Sequence, residues 1–171
     1  KQLTKFWQNT KFFQFGIVEI LNIFLKMIND MKKNNPFNLN NNQKQLLGLI
    51  SEKFEGASKL FKTIYLIDCL DNTFNYNYVR AGEGPFSEEF LKDFNYLIHC
   101  NLLLKIYKSP KIVYKINPDL VEVRGDHKYN FLKNFDEDEI SHLIYNNTDM
   151  KNLEIGDWFP LSKEIKNHLI F

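Results

Sequence analysis

Four lysines, Lys105, Lys108, Lys111 and Lys115, are interleaved with Ile106, Tyr107, Ile112, Val113 and Tyr114, and Ser109-Pro110 divides the run. Ammonium groups on an exposed ribbon can neutralise phosphates and release their counterions, the chemistry of sequence-independent nucleic-acid contact. Lys92 lies one segment upstream. Lys59 and Lys62 open another apolar-periodic stretch, where a cation opposes the helix dipole unless an anion faces it. Arg80 follows Phe74-Asn-Tyr-Asn-Tyr78, whose alternating rings could stack on bases. Lys59, Lys62, Arg80, Lys92, Lys105, Lys108, Lys111 and Lys115 are therefore the residues expected to meet a nucleic acid. Simpler roles compete. The hairpin lysines suit a solvated face, and the Lys59 and Lys62 stems can lie over a core with their heads in water. The aromatic run can pack one ring face on a helix.

Catalytic chemistry is poorly provided for. Asp68 and Asp71 stand one helical turn apart, but no third ligand sits at a telling spacing, so a solvated helix end is expected there. Cys69, Cys100, His99, His127, His142 and His168 lack the paired spacing of zinc ligands. There is no phosphate-binding glycine loop, no Gly-x-Ser-x-Gly and no Cys/His nucleophile arrangement. The expectation is a protein that is not an enzyme, with no metal, no cofactor and no small-molecule substrate.

Hydrophobic periodicity outlines the scaffold that must position these side chains. A helix is expected over 43–54, capped by Asn42, with Leu46, Leu47, Leu49, Ile50 and Phe54 inward and Gly56 just past its end. Ser58 caps a second helix reaching Leu70, so the Glu55-Gly56-Ala57 link makes a helix-turn-helix candidate. Phe74 to Tyr78 reads as a half-buried strand. After Gly84-Pro85, Ser87 caps a helix with Phe90, Leu91, Phe94, Leu97 and Ile98 on one face and Glu88 and Glu89 at its positive end. Two strands follow, Leu102–Tyr107 and Ile112–Ile116. A helix followed directly by such a hairpin is the order of a recognition helix and wing. Glu88, Glu89 and Asp93 outnumber Lys92 on this helix, which weighs against phosphate and toward a protein partner.

The flanks are less regular. Ile17, Ile20, Leu21, Phe24, Ile28 and Met31 form the stripe of a helix over Gly16–Lys33. Val18, Ile23, Leu25 and Met27 lie off that stripe, so a second buried face is expected, against a partner or a second copy. Pro36 and Asn40-Asn41-Asn42 mark a break. Beyond Pro118, Arg124–His127 reads as a loop, Asp136–Tyr145 as a short helix, and Ser162 as the cap of a last one.

Composition narrows the class. Hydrophobic content of 44% with 15% aromatic residues describes a globular chain built on rings. The formal net charge of +1 offers no global attraction to nucleic acid, so a basic surface must be local. Two lone cysteines suit a reducing compartment, and the longest apolar run is interrupted by charges, so a soluble cytoplasmic protein without membrane contact is expected. The excess of Lys over Arg and the abundance of Asn suit an AT-rich genome, which weakens any argument from lysine clusters alone.

Two short patterns carry a resemblance. Lys59-Leu60-Phe61-Lys62-Thr63-Ile64-Tyr65-Leu66 and Gly84-Pro85-Phe86-Ser87 resemble the Lys-Leu-x-Lys-x-x-Tyr-Leu helix and the Gly-Pro-Tyr/Phe-Ser turn of the Panacea/YwgA-like group. The likeness covers about residues 43–118. It implies a winged-helix domain of the kind associated with phages, mobile elements and toxin–antitoxin modules, binding DNA or a protein. No catalytic residues come with it.

The expected architecture is α+β, mainly α with a small hairpin or sheet. A helical extension spans 1–35, a winged-helix-like domain 42–120, and a helical C-terminal segment 121–171 packs on that domain. The expected function is a winged-helix regulator of phage or mobile-element type that binds duplex DNA as a homo-oligomer. The alternative is a protein-binding module, an antitoxin-like neutraliser or a subunit of a larger complex.

Overall fold

The computed structural model describes residues 37–51, 53–82, 84–122 and 128–169. The chain forms two compact units, Lys1–Asn38 and Leu39–Phe171, and nearly all described residues belong to the second. The helix expected over 16–33, with Ile17, Ile20, Leu21, Phe24, Ile28 and Met31 as an interface, lies outside the described residues, as do Arg124–His127.

The second unit is mixed α+β. Helix α1, Asn41–Ile50, starts two residues before its expected first residue because Asn40 and Gln43 close a capping box. The Asn40 side chain accepts from the Gln43 amide at 2.8 Å, and the Gln43 side chain accepts from the Asn40 amide at 3.0 Å. The helix stops at Ile50 rather than Phe54, turning at Ser51 with φ +44°. Phe54 is buried as expected, but in strand β1, Phe54–Glu55. The expected helix-turn-helix link is therefore partly a strand.

Helix α2, Ala57–Asp71, is the spine of the unit. Ten of its residues are buried, spread around its whole circumference, the signature of a helix covered on every side. Gly56 opens it, with φ +85°, rather than closing α1, and Ser58 lies inside its first turn. Past its end the expected strand over 74–78 does not form. The amides of Phe74, Asn75 and Tyr76 donate instead to the Asp68 carboxylate, at 2.7, 3.2 and 3.2 Å, so the segment folds over α2 and pairs with no strand. The strands lie later, as β2, Val79–Ala81, and β3, Gly84–Phe86. Residues 156–159 run beside β2: Arg80 donates to the Asp157 carbonyl, and the Gly156 and Phe159 amides donate to Arg80 and Tyr78, each at 2.8 Å.

Helix α3, Glu88–His99, is capped by Ser87, whose hydroxyl accepts from the Phe90 amide at 3.2 Å. It leads into β4, Leu103–Lys108, and β5, Lys111–Ile116, an antiparallel hairpin in the register Lys105↔Tyr114 and Lys108↔Lys111. β1 pairs with β5, giving the sheet order β1-β5-β4. The rest of the unit is helical: 3₁₀ turns at Asn130–Asn134 and Met150–Asn152, α4 at Glu137–Asn146, and α5 at Lys163–Leu169. Both α4 and α5 pack on α2.

Rings fill the core. Tyr65 of α2 meets Tyr78 and Phe159 edge-on at 5.1 and 5.2 Å. Phe61 stacks on Phe86 at 5.5 Å and meets Phe90 edge-on at 4.5 Å. Phe94 of α3 meets Tyr114 of β5 at 4.8 Å. Burying each such side chain stabilises by about 1.5–3 kcal/mol, so this line of rings fastens α2, α3 and the sheet together.

Candidate functional site

The cations expected to face a nucleic acid divide into two groups. On α2 they turn inward. Lys59 donates to the Lys133 carbonyl at 2.9 Å and lies 5.7 Å over the Phe54 ring. Lys62 is buried, and its Nζ donates to Glu137 Oε1 at 3.2 Å and Ser141 Oγ at 2.9 Å. Its stem fits against Gly84, where an added Cβ would approach Lys62 Cε to 3.4 Å. Tyr65 donates to the Pro160 carbonyl at 2.8 Å. So Lys59, Lys62 and Tyr65 all fasten the C-terminal segment onto α2, and the Lys62 head is neither in water nor open to a phosphate.

The anion at the start of α2 is the chain's own Glu137. Its carboxylate bonds the Ser58 hydroxyl and Lys62, which hold it below the ordinary glutamate range against the cost of burial, with Lys111 adding a weaker pull. Gly56 supplies no side-chain cap, so this carboxylate takes the place a cap or a bound anion would fill.

Two more expected surface features are interior. Asp68 is 2% exposed rather than a solvated helix end. Besides three amides it accepts from the Tyr78 hydroxyl at 2.7 Å. Burial pushes its carboxyl above the ordinary aspartate value, against the pull of those four donors. Phe74, Tyr76 and Tyr78 are all buried, so they form no stacking platform. Burial likewise pushes the Tyr76 and Tyr78 phenols up, and the Cys69 thiol up to about 11. Cys69 and Cys100 are free thiols, and among the described residues no three His, Cys, Asp or Glu side chains converge on a point that could hold a metal.

On α3 and the hairpin the cations stay outside. Of the acids expected on the face of α3, Asp93 is drawn partly inward while Glu88 and Glu89 stay exposed. Asp93 accepts from Asn40 and Gln43 of the α1 capping box, each at 2.9 Å, and from the Tyr76 hydroxyl at 2.8 Å. Glu89 accepts from the Asn77 amide and side chain at 2.8 and 3.0 Å. Glu88 pairs with Lys92 at 3.4 Å in the open. Besides Glu88 and Glu89, α3 leaves exposed a stripe of Lys92, Asn95, Tyr96 and His99, residues that share one side of a helix at spacings of three and four. Asn95, Tyr96 and His99 were absent from the sequence-based set. Their signal was present, as the polar complement of Phe90, Phe94 and Leu97.

The hairpin lysines do not form one surface. Side chains alternate along a strand, so Lys105 and Tyr107 share a face with Tyr114, while Lys108, Lys111 and Lys115 lie on the opposite one. Tyr114 touches Phe94, so the first face is the one turned to α3. There Lys105 sits 5.2 Å over the Tyr107 ring, and Tyr107 is 73% exposed. The Tyr107 hydroxyl beside it holds the Lys105 ammonium above its ordinary pKa. Lys108 and Lys111 face each other across the hairpin tip. Arg80 belongs elsewhere, on β2 beside residues 156–157, with its Nε buried and without a hydrogen-bond partner among the described residues. Ile155 and Trp158, 76% and 66% exposed, lie on that same segment.

Compared with family models, curated proteins and solved structures, the chain matches none of them. Among the described residues no helix is long and apolar enough to cross a membrane.

Proposed function

We propose that the chain is a winged-helix regulator that binds duplex DNA with α3 and the hairpin, as the resemblance to the Panacea/YwgA-like group implies. The observation that carries this reading is the exposed polar stripe Lys92, Asn95, Tyr96 and His99 on α3, next in the chain to the basic hairpin. Asp93 is engaged by Asn40, Gln43 and Tyr76, while Glu88 and Glu89 stay exposed beside the stripe and are the acids a phosphate would have to avoid. Asn can read adenine bidentately, and Lys can contact guanine or phosphate. The order β1-β5-β4, with the short strand between the first two helices, supports a wing after the reading helix. The long connection from α2 to α3, which carries β2 and β3, departs from a tight helix-turn-helix. The stripe Ile17 to Met31 is the proposed element of homo-oligomerisation, and light scattering that gives a monomer of the full chain would refute it.

Fluorescence anisotropy with a labelled duplex tests the DNA reading. Affinity should fall with salt at a slope of roughly −0.9 per phosphate contact. Lys92→Ala and Lys105→Ala should each flatten that slope by about one contact, while Asn95→Ala should act on sequence preference. Salt-independent affinity, or full binding by Lys92→Glu combined with Lys105→Glu, would overturn the reading. A protein-binding module is the second reading, favoured by Ile155 and Trp158 exposed beside Arg80, since Trp and Arg dominate binding hot spots.

A further inference from the structure

A groove of about 740 Å³ runs along α4 with no role in the fold or in the proposed DNA surface. Its floor is apolar, formed by Phe135, Leu143 and Leu169. Phe135 and Leu143 remain part-exposed there. Asp136, Asp138 and Glu139 form its rim. Asp136 and Glu139 also close the α4 capping box, and Asp138 is a third acidic side chain beside them. At Asn146 and Asn147 this groove meets a second one, of about 380 Å³, in which Leu161 supplies an apolar wall and Asp149 and Glu164 supply carboxylates. No Lys or Arg lines either groove among the described residues. In a chain of 22 basic and 21 acidic residues, that is local segregation rather than an overall acidic balance.

We propose that this composite groove is a docking site for a basic amphipathic helix of a partner protein. An apolar floor asks for an apolar stripe at spacings of three and four, and carboxylates at both ends ask for Lys or Arg flanking it. The groove follows a ten-residue helix, so a ligand helix of about three to four turns matches it in length. The surface lies apart from α3 and the hairpin, and the proposal stands whether or not the chain binds DNA.

The test titrates the full chain with a synthetic Leu/Lys amphipathic peptide about four turns long, followed by isothermal titration and by amide chemical-shift mapping. Controls are a scrambled peptide and a Leu/Glu counterpart. The expected result is saturable binding, shifts confined to 135–147 and 160–169, and loss of about tenfold in affinity for Asp138→Lys and for Leu143→Glu. Circular dichroism checks that each variant is folded, and Asp138, exposed on the first turn of α4, gives a variant that does not disturb the core. Absence of saturable binding, equal binding of the scrambled or acidic peptide, or shifts elsewhere would overturn the proposal. Self-association abolished by Leu143→Glu would give the groove to a second copy and would also overturn it.

Discussion

Consecutive helices of this unit treat their charges in opposite ways. α2 carries Lys59, Lys62 and Asp68, and every one of them bonds within the chain. α3 carries Glu88, Glu89, Lys92 and Asp93, of which only Asp93 is drawn partly inward while the other three stay exposed. The difference lies in how much of each circumference is covered. α2 is wrapped by β1, β3, α4 and α5, so a polar group on it is partnered or costs several kcal/mol. α3 covers one face only, and its remaining charges can stay solvated. Charge type therefore says little about direction until coverage is known.

The sharpest way to break this comparison is Asp68→Ala. It would leave three amides and the Tyr78 hydroxyl without their acceptor. The expected loss is about 3–5 kcal/mol, read as a lower urea midpoint at constant slope. Asp68→Asn keeps one acceptor oxygen and should lose distinctly less. If Asp68→Ala falls within about 0.5 kcal/mol of wild type, as a surface change does, the loop at 72–78 is not held by that carboxylate.

Next in size is a matched pair. Lys62→Met keeps the buried stem but strands Glu137 and Ser141, and because Glu137 is 43% exposed the loss should be about 1–2 kcal/mol rather than that of a fully buried pair. Lys92→Met removes an open pair of side chains 75% and 77% exposed, and should cost no more than about 0.5 kcal/mol. Binding to duplex DNA should respond in the reverse order, with Lys92→Met weakening it and Lys62→Met leaving a folded protein that binds normally. Equal effects on stability would erase the distinction between the two helices.

The sequence reading did best where periodicity and local chemistry agree. Ser87 and Glu88 mark the start of α3 to the residue, the Phe90–Phe94–Leu97 stripe marks its buried face, and the Lys-rich apolar run marks the hairpin. It failed where a distant residue supplied the partner. Phe74–Asn–Tyr–Asn–Tyr78 alternates like a strand, yet its amides go to Asp68, a carboxylate on the preceding helix. Lys62 looked like an outward cation because Glu137, separated from it by 75 residues, is invisible to local pattern. Asp93 looked like a surface acid for the same reason, its partners lying on the α1 cap and on Tyr76. Gly56 was read as an end instead of a beginning, since a glycine with positive φ suits either side of a helix.

The smallest expected effect concerns pH, and it sets half-exposed Glu137 against buried Asp68. Glu137 titrates below its ordinary value of 4.5. A carboxyl depressed in the folded state contributes stability that is present above the unfolded value and lost as pH falls through the folded one. Asp68 is raised above its ordinary value of 3.8. The folded state then takes up that proton first, so acidification relieves a cost there. The two slopes oppose each other in the same acidic range, and wild-type stability should bend only gently. Glu137→Gln isolates one arm. At neutral pH the variant should be less stable than wild type, by less than Lys62→Met is, and the gap should begin to close as pH falls below about 4.5 and be gone only below the lowered folded-state value, where wild type too is neutral at that position. Chemical denaturation repeated from pH 7 to pH 3 reads this gap directly. A gap that stays constant across the series would mean that residue 137 acts through shape alone, and that the charge opposite Lys62 does not fasten the C-terminal segment to α2.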